Sequence, residues 1–295
     1  PTVVLQSHMD MVCEKNNGTA HDFDNDPIET IVDGNWLRAN GTTLGADNGI
    51  GVAAELAILA SDNIEHGPIE CLFTIDEETG LTGAKALEKG FMTGDILLNL
   101  DSEDEGEIFM GCAGGKDTQA VFHYESCDTN PDMQYFKIEV KGLNGGHSGG
   151  EIHKGLGNAN KVLVRYLYLL NNQADFNLCS IQGGNLRNAI AREAQAVIGL
   201  HPQDKETARI LLNHYTADIE NELKHVDPNV RISMESTDRP DKHISGSWAQ
   251  KIILALHACP HGVIGMSHDI EGLVETSTNL ASVKMGPDDT IIVGT

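Results

Sequence analysis

The sequence predicts an α/β fold: a mostly parallel sheet in its first part, followed by a second α/β domain. Three observations carry this expectation. Short continuous apolar runs of the kind buried strands show recur along the chain. Amphipathic helical stretches separate them, which favours parallel pairing. The length of 295 residues suits two domains of roughly 150 residues each.

Val3-Val4-Leu5 reads as a buried strand. Residues 28–39 read as a hairpin with Asp33-Gly34 at its turn. Gly49 to Ala60 is a helix whose face is Ile50, Ala53, Ala54, Ala57 and Ile58. Ile69 to Ile75 is a strand, Thr82 to Lys89 a short helix closed by Gly90, and Ile96 to Leu100 another strand. After Gly114-Gly115 the pattern changes, which puts a boundary near 114–118 and divides the chain into 1–114 and 115–295. Strands are expected at 119–125, 135–143, 176–182, 193–200 and 230–235. Helices are expected at 158–170, 204–225 and 248–258, the second with the stripe Ala208, Leu211, Leu212, Tyr215, Ile219 and Leu223. The run 290–295 is strand-like.

Composition narrows the function. Asp+Glu number 44 against 20 Lys+Arg, a formal net charge of -24. That balance excludes a nucleic-acid or anionic-membrane surface, which needs clustered cations. No run approaches the 18 or so apolar residues of a membrane span. The six cysteines are scattered and never form CxxC, which predicts reduced thiols and a cytoplasmic protein. Two apparent motifs fail. Asp101 to Gly106 opens like an EF-hand loop, but Cys112 stands where a bidentate Glu is required. Gly114-Gly-Lys116-Asp117 lacks P-loop spacing.

Four polar clusters remain, and their places in the pattern matter. His8 and Asp10 follow the first strand, Glu77 and Glu78 follow the strand 69–75, and Asp101 follows 96–100. Asp47 precedes the helix 49–60. Ligands of open parallel sheets bind beyond the carboxyl ends of the strands. Imidazole and carboxylates gathered there suit a divalent cation, and a carboxylate can bridge a pair of them. Of two adjacent glutamates, one can be a ligand and the other a base. Read singly, each has a plainer role: Asp47 as a helix N-cap, Glu77-Glu78 as a solvated helix start, Asp101 as a polar strand end.

The strings SHMD (7–10), LGADNGIG (44–51), DEETG (76–80), NLD (99–101), GLNGGHSGGEIHKGLGNAN (142–160) and LRNAIAREA (186–194) together resemble metallopeptidase family M20, in its aminoacyl-histidine dipeptidase branch. The resemblance implies a mostly parallel-sheet metallopeptidase catalytic domain, here partial, in 1–114 and an α/β lid domain in 115–295. It implies two divalent metal ions, zinc first, with manganese or cobalt as alternatives. His8 and Asp101 would be ligands of the first metal, Asp47 the bridge and Glu78 a ligand of the second. Asp10 would orient His8, and Glu77 would be the general base. His147 and Asn188 would be lid groups that hold the oxyanion. In this branch a proline usually stands where Ala191 does. No histidine here sits in the context of the second metal's remaining ligand, so that site is expected to be incomplete. The chain accordingly reads as a fragment of a longer polypeptide, with weak or no activity alone. The implied function is hydrolysis of dipeptides, Xaa-His first, by a homodimer formed through the lid. The alternatives are a related N-acyl amino acid amidohydrolase and a non-catalytic metal-binding fragment. Arg187 can receive a substrate carboxylate or stay solvated.

Overall fold

The structure, a computed structural model, describes residues 1–16, 18–102, 106–112 and 114–295. Part of the EF-hand-like stretch falls outside that set. The chain divides into two compact units, Pro1–Cys112 and Ala113–Thr295.

In the first unit, β1 (Val3–His8) is the central strand of three. β2 (Ile69–Thr74) and β3 (Ile96–Asn99) flank it, both parallel to it. Helix α1 (Ala46–Ala60) packs on β1. The strands 30–33 and 36–39 form the expected hairpin.

Two local expectations are corrected. Helix α1 turns Asn48, Gly51 and Glu55 inward, whereas Ile50 is 70% exposed. The hidden stripe is polar because it has polar partners: the Ser7 hydroxyl donates to Glu55 Oε1 at 2.7 Å, and Asn48 reaches Asp101. A Cβ on Gly51 would run into the Asn48 side-chain oxygen and lie 3.0 Å from Ser7 Cβ, so glycine allows this close approach of helix to strand. The helix expected at 82–89 is instead two single turns, Glu77–Gly80 and Thr82–Lys85. Leu81 sits between them in the left-handed region at φ 61, and the Asp76 carboxylate takes the hydroxyls of Thr79 and Thr82. The Ala86 N–H is shared by the Thr82 and Gly83 carbonyls, which tightens the last turn and ends it well before Gly90.

The second unit is built on a seven-stranded antiparallel sheet. Its strands are β4 (Gln119–His123), β5 (Gln134–Lys141), β6 (Phe176–Gly183), β7 (Ala194–Leu200), β8 (Arg231–Ser236), β9 (Ser282–Gly286) and β10 (Thr290–Gly294). Their spatial order is β8-β5-β7-β6-β9-β10-β4. Helix α2 (Ala159–Asn171) packs against the sheet and against both α3 (Lys205–Leu223) and α4 (Gly246–Ala258). The α3 stripe is buried at Ala208, Leu212, Tyr215 and Ile219, with Leu211 and Leu223 at its margin. Two buried tyrosines tie α2 to α3: the Tyr166 hydroxyl donates to the Ala208 carbonyl at 2.9 Å and that of Tyr215 to Val162 at 2.7 Å. Burial pushes both phenols well above their usual pKa. Leu163 is 1% exposed within this core. Leu163→Ala is expected to cost about 2–5 kcal/mol, read from the denaturation midpoint, because packed neighbours cannot fully refill the space.

All six cysteines are free. No helix among the described residues is long and apolar enough to cross a membrane.

Candidate metal centre and lid residues

Parallel pairing of β1 with β2 and β3 places three carboxyl ends on one edge of the first unit. His8 ends β1 opposite Thr74, and the Met9 N–H donates to the Thr74 carbonyl at 2.9 Å. The side chain of His8 is only 1% exposed. Its Nδ1 lies 3.0 Å from the Asp10 carbonyl oxygen and 3.4 Å from Asp10 Oδ1. Its Nε2 lies 3.1 Å from Asp47 Oδ1 and 3.5 Å from Asp101 Oδ1. One ligand atom each from His8, Asp47 and Asp101 falls within 4.8 Å of the others, and the same holds for His8, Glu77 and Glu78. The structure thus gathers five of the residues singled out in the sequence around one imidazole.

Each is held from behind. The Asp10 carboxylate accepts the backbone N–H of Glu77 on Oδ1 and that of Glu78 on Oδ2, both at 3.1 Å. Asp10 thereby fixes the turn that carries the two glutamates, while its backbone carbonyl is the nearer partner of the His8 ring. Asp101 is set by its own N–H, which donates to the Asn99 side chain at 2.9 Å, and by Asn48 Nδ2, which donates to Oδ1 at 2.7 Å. Asp47 stands on the non-helical first turn of α1, whose Asp47–Asn48 peptide is cis. Asn48 was not singled out in the sequence. Its neighbour Asp47 carried the signal, and a supporting amide leaves no pattern of its own.

The electrostatics describe a crowded anionic edge. For His8, burial works against the charged ring, but the charge of Asp101 and the hydrogen bond to Asp47 outweigh it and lift the pKa. Burial, then the hydrogen-bonded Asp47, raises Asp101. Burial, then the charges of Asp47 and Glu77, raises Glu78. Asp10 goes the other way: burial would raise it, but the N–H groups of Glu77 and Glu78 hold it below the usual carboxylate range.

The donor set fits a divalent cation. Nδ1 faces a carbonyl oxygen, so the neutral ring carries its proton there. Its Nε2 lone pair then faces two carboxylate oxygens. A proton or a cation between them satisfies acceptors so close, and imidazole with carboxylates is a suitable shell for zinc or manganese.

In the second unit, Gly146–His147 and Ala189–Ile190 form a short antiparallel ladder. Ser148 N–H donates to the Asn188 carbonyl at 2.8 Å, so His147 and Asn188 are neighbours. Both side chains are exposed and line a cavity of about 1190 Å³ that also touches Arg192 and Lys284. The buried Asn279, another residue not read from the sequence, donates from Nδ2 to the Ala189 carbonyl at 2.8 Å and steadies this segment. Arg187 pairs with Asp117 at 2.9 Å on the surface. The Ala191 carbonyl accepts the Ala159 N–H at 2.7 Å.

Residues 138–227 match the family model described as the M20 peptidase dimerisation domain. Through that stretch of the second unit the chain is similar to M20 peptidases. It is 47% identical over 283 residues to the cytosol non-specific dipeptidase of Escherichia coli (strain K12), a match covering 96% of this chain and 58% of that protein. It is also similar to the crystal structure of aminoacylhistidine dipeptidase from Vibrio alginolyticus. There the identity is 46% and the TM-score 0.83, and the match covers 99% of this chain and 60% of the other. The chain therefore spans somewhat under two thirds of the length of either relative.

Proposed function

We propose that these residues form part of a cytoplasmic metallodipeptidase acting on dipeptides, Xaa-His first, with 1–114 as the metal-binding catalytic part and 115–295 as the lid. The observation that carries this reading is the His8 Nε2 facing Asp47 and Asp101 from separate elements, with Glu77 and Glu78 on the adjoining turn. Similarity to two dipeptidases supports the substrate class.

His8, Asp47 and Asp101 would hold one divalent cation, and Asp47 with Glu78 would contribute to a second, zinc being favoured. Such ions supply Lewis acidity, lowering the pKa of water towards about 7 and polarising a carbonyl. The protein's own groups do the rest. Glu77, held by its backbone on Asp10, accepts the proton of the attacking water and returns it to the leaving amine. Asp10 keeps Glu77 and Glu78 in register with the His8 ring. His147 and Asn188 are assigned the developing oxyanion, for which a donor is typically worth about 10²–10³ in rate. The dimerisation-domain match supports a homodimer formed through the second unit.

The test is metal uptake by the chain, followed by product release from Xaa-His dipeptides and from N-acyl amino acids, each with and without chelator. Weak, chelator-sensitive dipeptide hydrolysis is expected, as for a site whose second metal lacks a ligand among these residues. Hydrolysis confined to N-acyl amino acids would replace this reading with a related amidohydrolase. Uptake without hydrolysis of either would leave a metal-binding fragment.

A further inference from the structure

We infer that Glu151 is a positioning residue that fixes the ring tautomer of His147, an inference that rests on the oxyanion role proposed above for that histidine. An imidazole can hold a negative oxygen only through an N–H; the other tautomer presents a lone pair and repels it. Which nitrogen carries the proton is therefore decisive, and the turn 147–151 decides it.

The turn is closed twice by the same two residues. The His147 N–H donates to Glu151 Oε2 at 2.8 Å, and the Glu151 N–H donates to the His147 carbonyl at 2.8 Å. Inside this loop the Gly149 and Gly150 N–H groups both point at His147 Nδ1, at 3.1 and 3.2 Å. Two N–H donors on one ring nitrogen require a lone pair there. A proton on Nδ1 would face both of them. The neutral ring therefore carries its hydrogen on Nε2, a donor without a partner among the described residues, on an exposed side chain.

The composition of the turn serves this arrangement. A Cβ on Gly149 would lie 3.1 Å from His147 Cε1 and 3.2 Å from Nδ1, so a side chain at 149 would crowd the ring its N–H must reach. A Cβ on Gly146 would lie 2.8 Å from Glu151 Oε2, so glycine there lets the carboxylate tuck beneath the strand. Lys154 Nζ donates to the second carboxylate oxygen, Oε1, at 2.8 Å. The hydrogen bond from Lys154, then that from the His147 N–H, holds the Glu151 carboxyl below its usual range, so it remains an ionised acceptor.

The experiment is nitrogen NMR of the full chain labelled at its histidine rings, recorded above the pH at which free imidazole titrates. The His147 signals are identified by their loss in His147→Gln. The expected spectrum has an unprotonated Nδ1 and a protonated Nε2 in a single population. Glu151→Ala is expected to bring both ring nitrogens towards averaged shifts, while Glu151→Gln, whose amide oxygen accepts the same N–H, keeps the original pattern. If Glu151→Ala does not fold by circular dichroism, Glu151→Asp, one methylene shorter, is read in its place with the same expectation. An averaged or Nδ1-protonated ring in the unsubstituted chain overturns the proposal, as does an unchanged ring in the Ala or Asp variant. Dipeptide hydrolysis is measured separately. A fixed Nε2–H ring in a chain that hydrolyses nothing upholds this proposal and removes the functional one; hydrolysis beside an averaged ring does the reverse.

Discussion

In a full-length protein, Glu77→Gln is expected to lower dipeptide turnover by about 10²–10⁴-fold, the usual worth of a positioned general base, while bound metal persists. The substitution isolates the proton-accepting role. Asp10 holds residue 77 through its backbone N–H, which Gln retains, so the turn Glu77–Gly80 and the neighbouring Glu78 stay in place. His8, Asp47 and Asp101, which form a group without Glu77, also keep their geometry. Only the ability to take a proton is lost, since an amide of the same shape has no basic oxygen near neutral pH. Turnover is followed by release of the free amino acid and metal by elemental analysis of the same sample. Turnover near that of the unsubstituted protein would remove Glu77 from the mechanism. Parallel loss of metal would make it a ligand.

The convergence of His8, Glu77, Glu78 and Asp101 was legible in the sequence because it follows from topology. Parallel strands must end on the same edge, so whatever follows each apolar run meets there. The inward face of α1 was not legible. Periodicity marks apolar stripes, and here the buried stripe is Asn48, Gly51 and Glu55, matched to Ser7 and Asp101 by contacts distant in sequence. The helix end at Lys85 was missed for a related reason. Gly90 is a plausible stop, but the Asp76 carboxylate and the left-handed Leu81 break the segment earlier. In the second unit the long amphipathic helices were read closely, α3 above all. The pairing of 146–147 with 189–190, which sets His147 beside Asn188, joins segments about forty residues apart, and no local pattern announces it. The turn that orients the His147 ring uses backbone N–H groups, which every residue but proline has, so sequence alone could show only its glycines.

His8→Ala is expected to weaken divalent metal binding by about 100-fold or more. Losing a group that merely supports a ligand already costs about 10–100-fold, and His8 is itself the shared member of both candidate groups. Removing its ring leaves Asp47, Asp101 and Glu78 without the one neutral donor among them, and burial together with neighbouring charge already disfavours ionisation of Asp101 and Glu78. The consequence can be read without any activity. Zinc at 100 times its dissociation constant stabilises a folded protein by about 2.7 kcal/mol. With binding weakened 100-fold, the same zinc concentration only equals the new constant, and the same relation gives about 0.4 kcal/mol. The thermal shift on adding zinc should therefore nearly vanish in His8→Ala. It should remain in His66→Ala, which removes an exposed imidazole of the same unit whose partner among the described residues is the adjacent Gly67 carbonyl. A full shift in both variants would place the metal elsewhere on the chain, and a shift lost in both would mark nonspecific histidine binding.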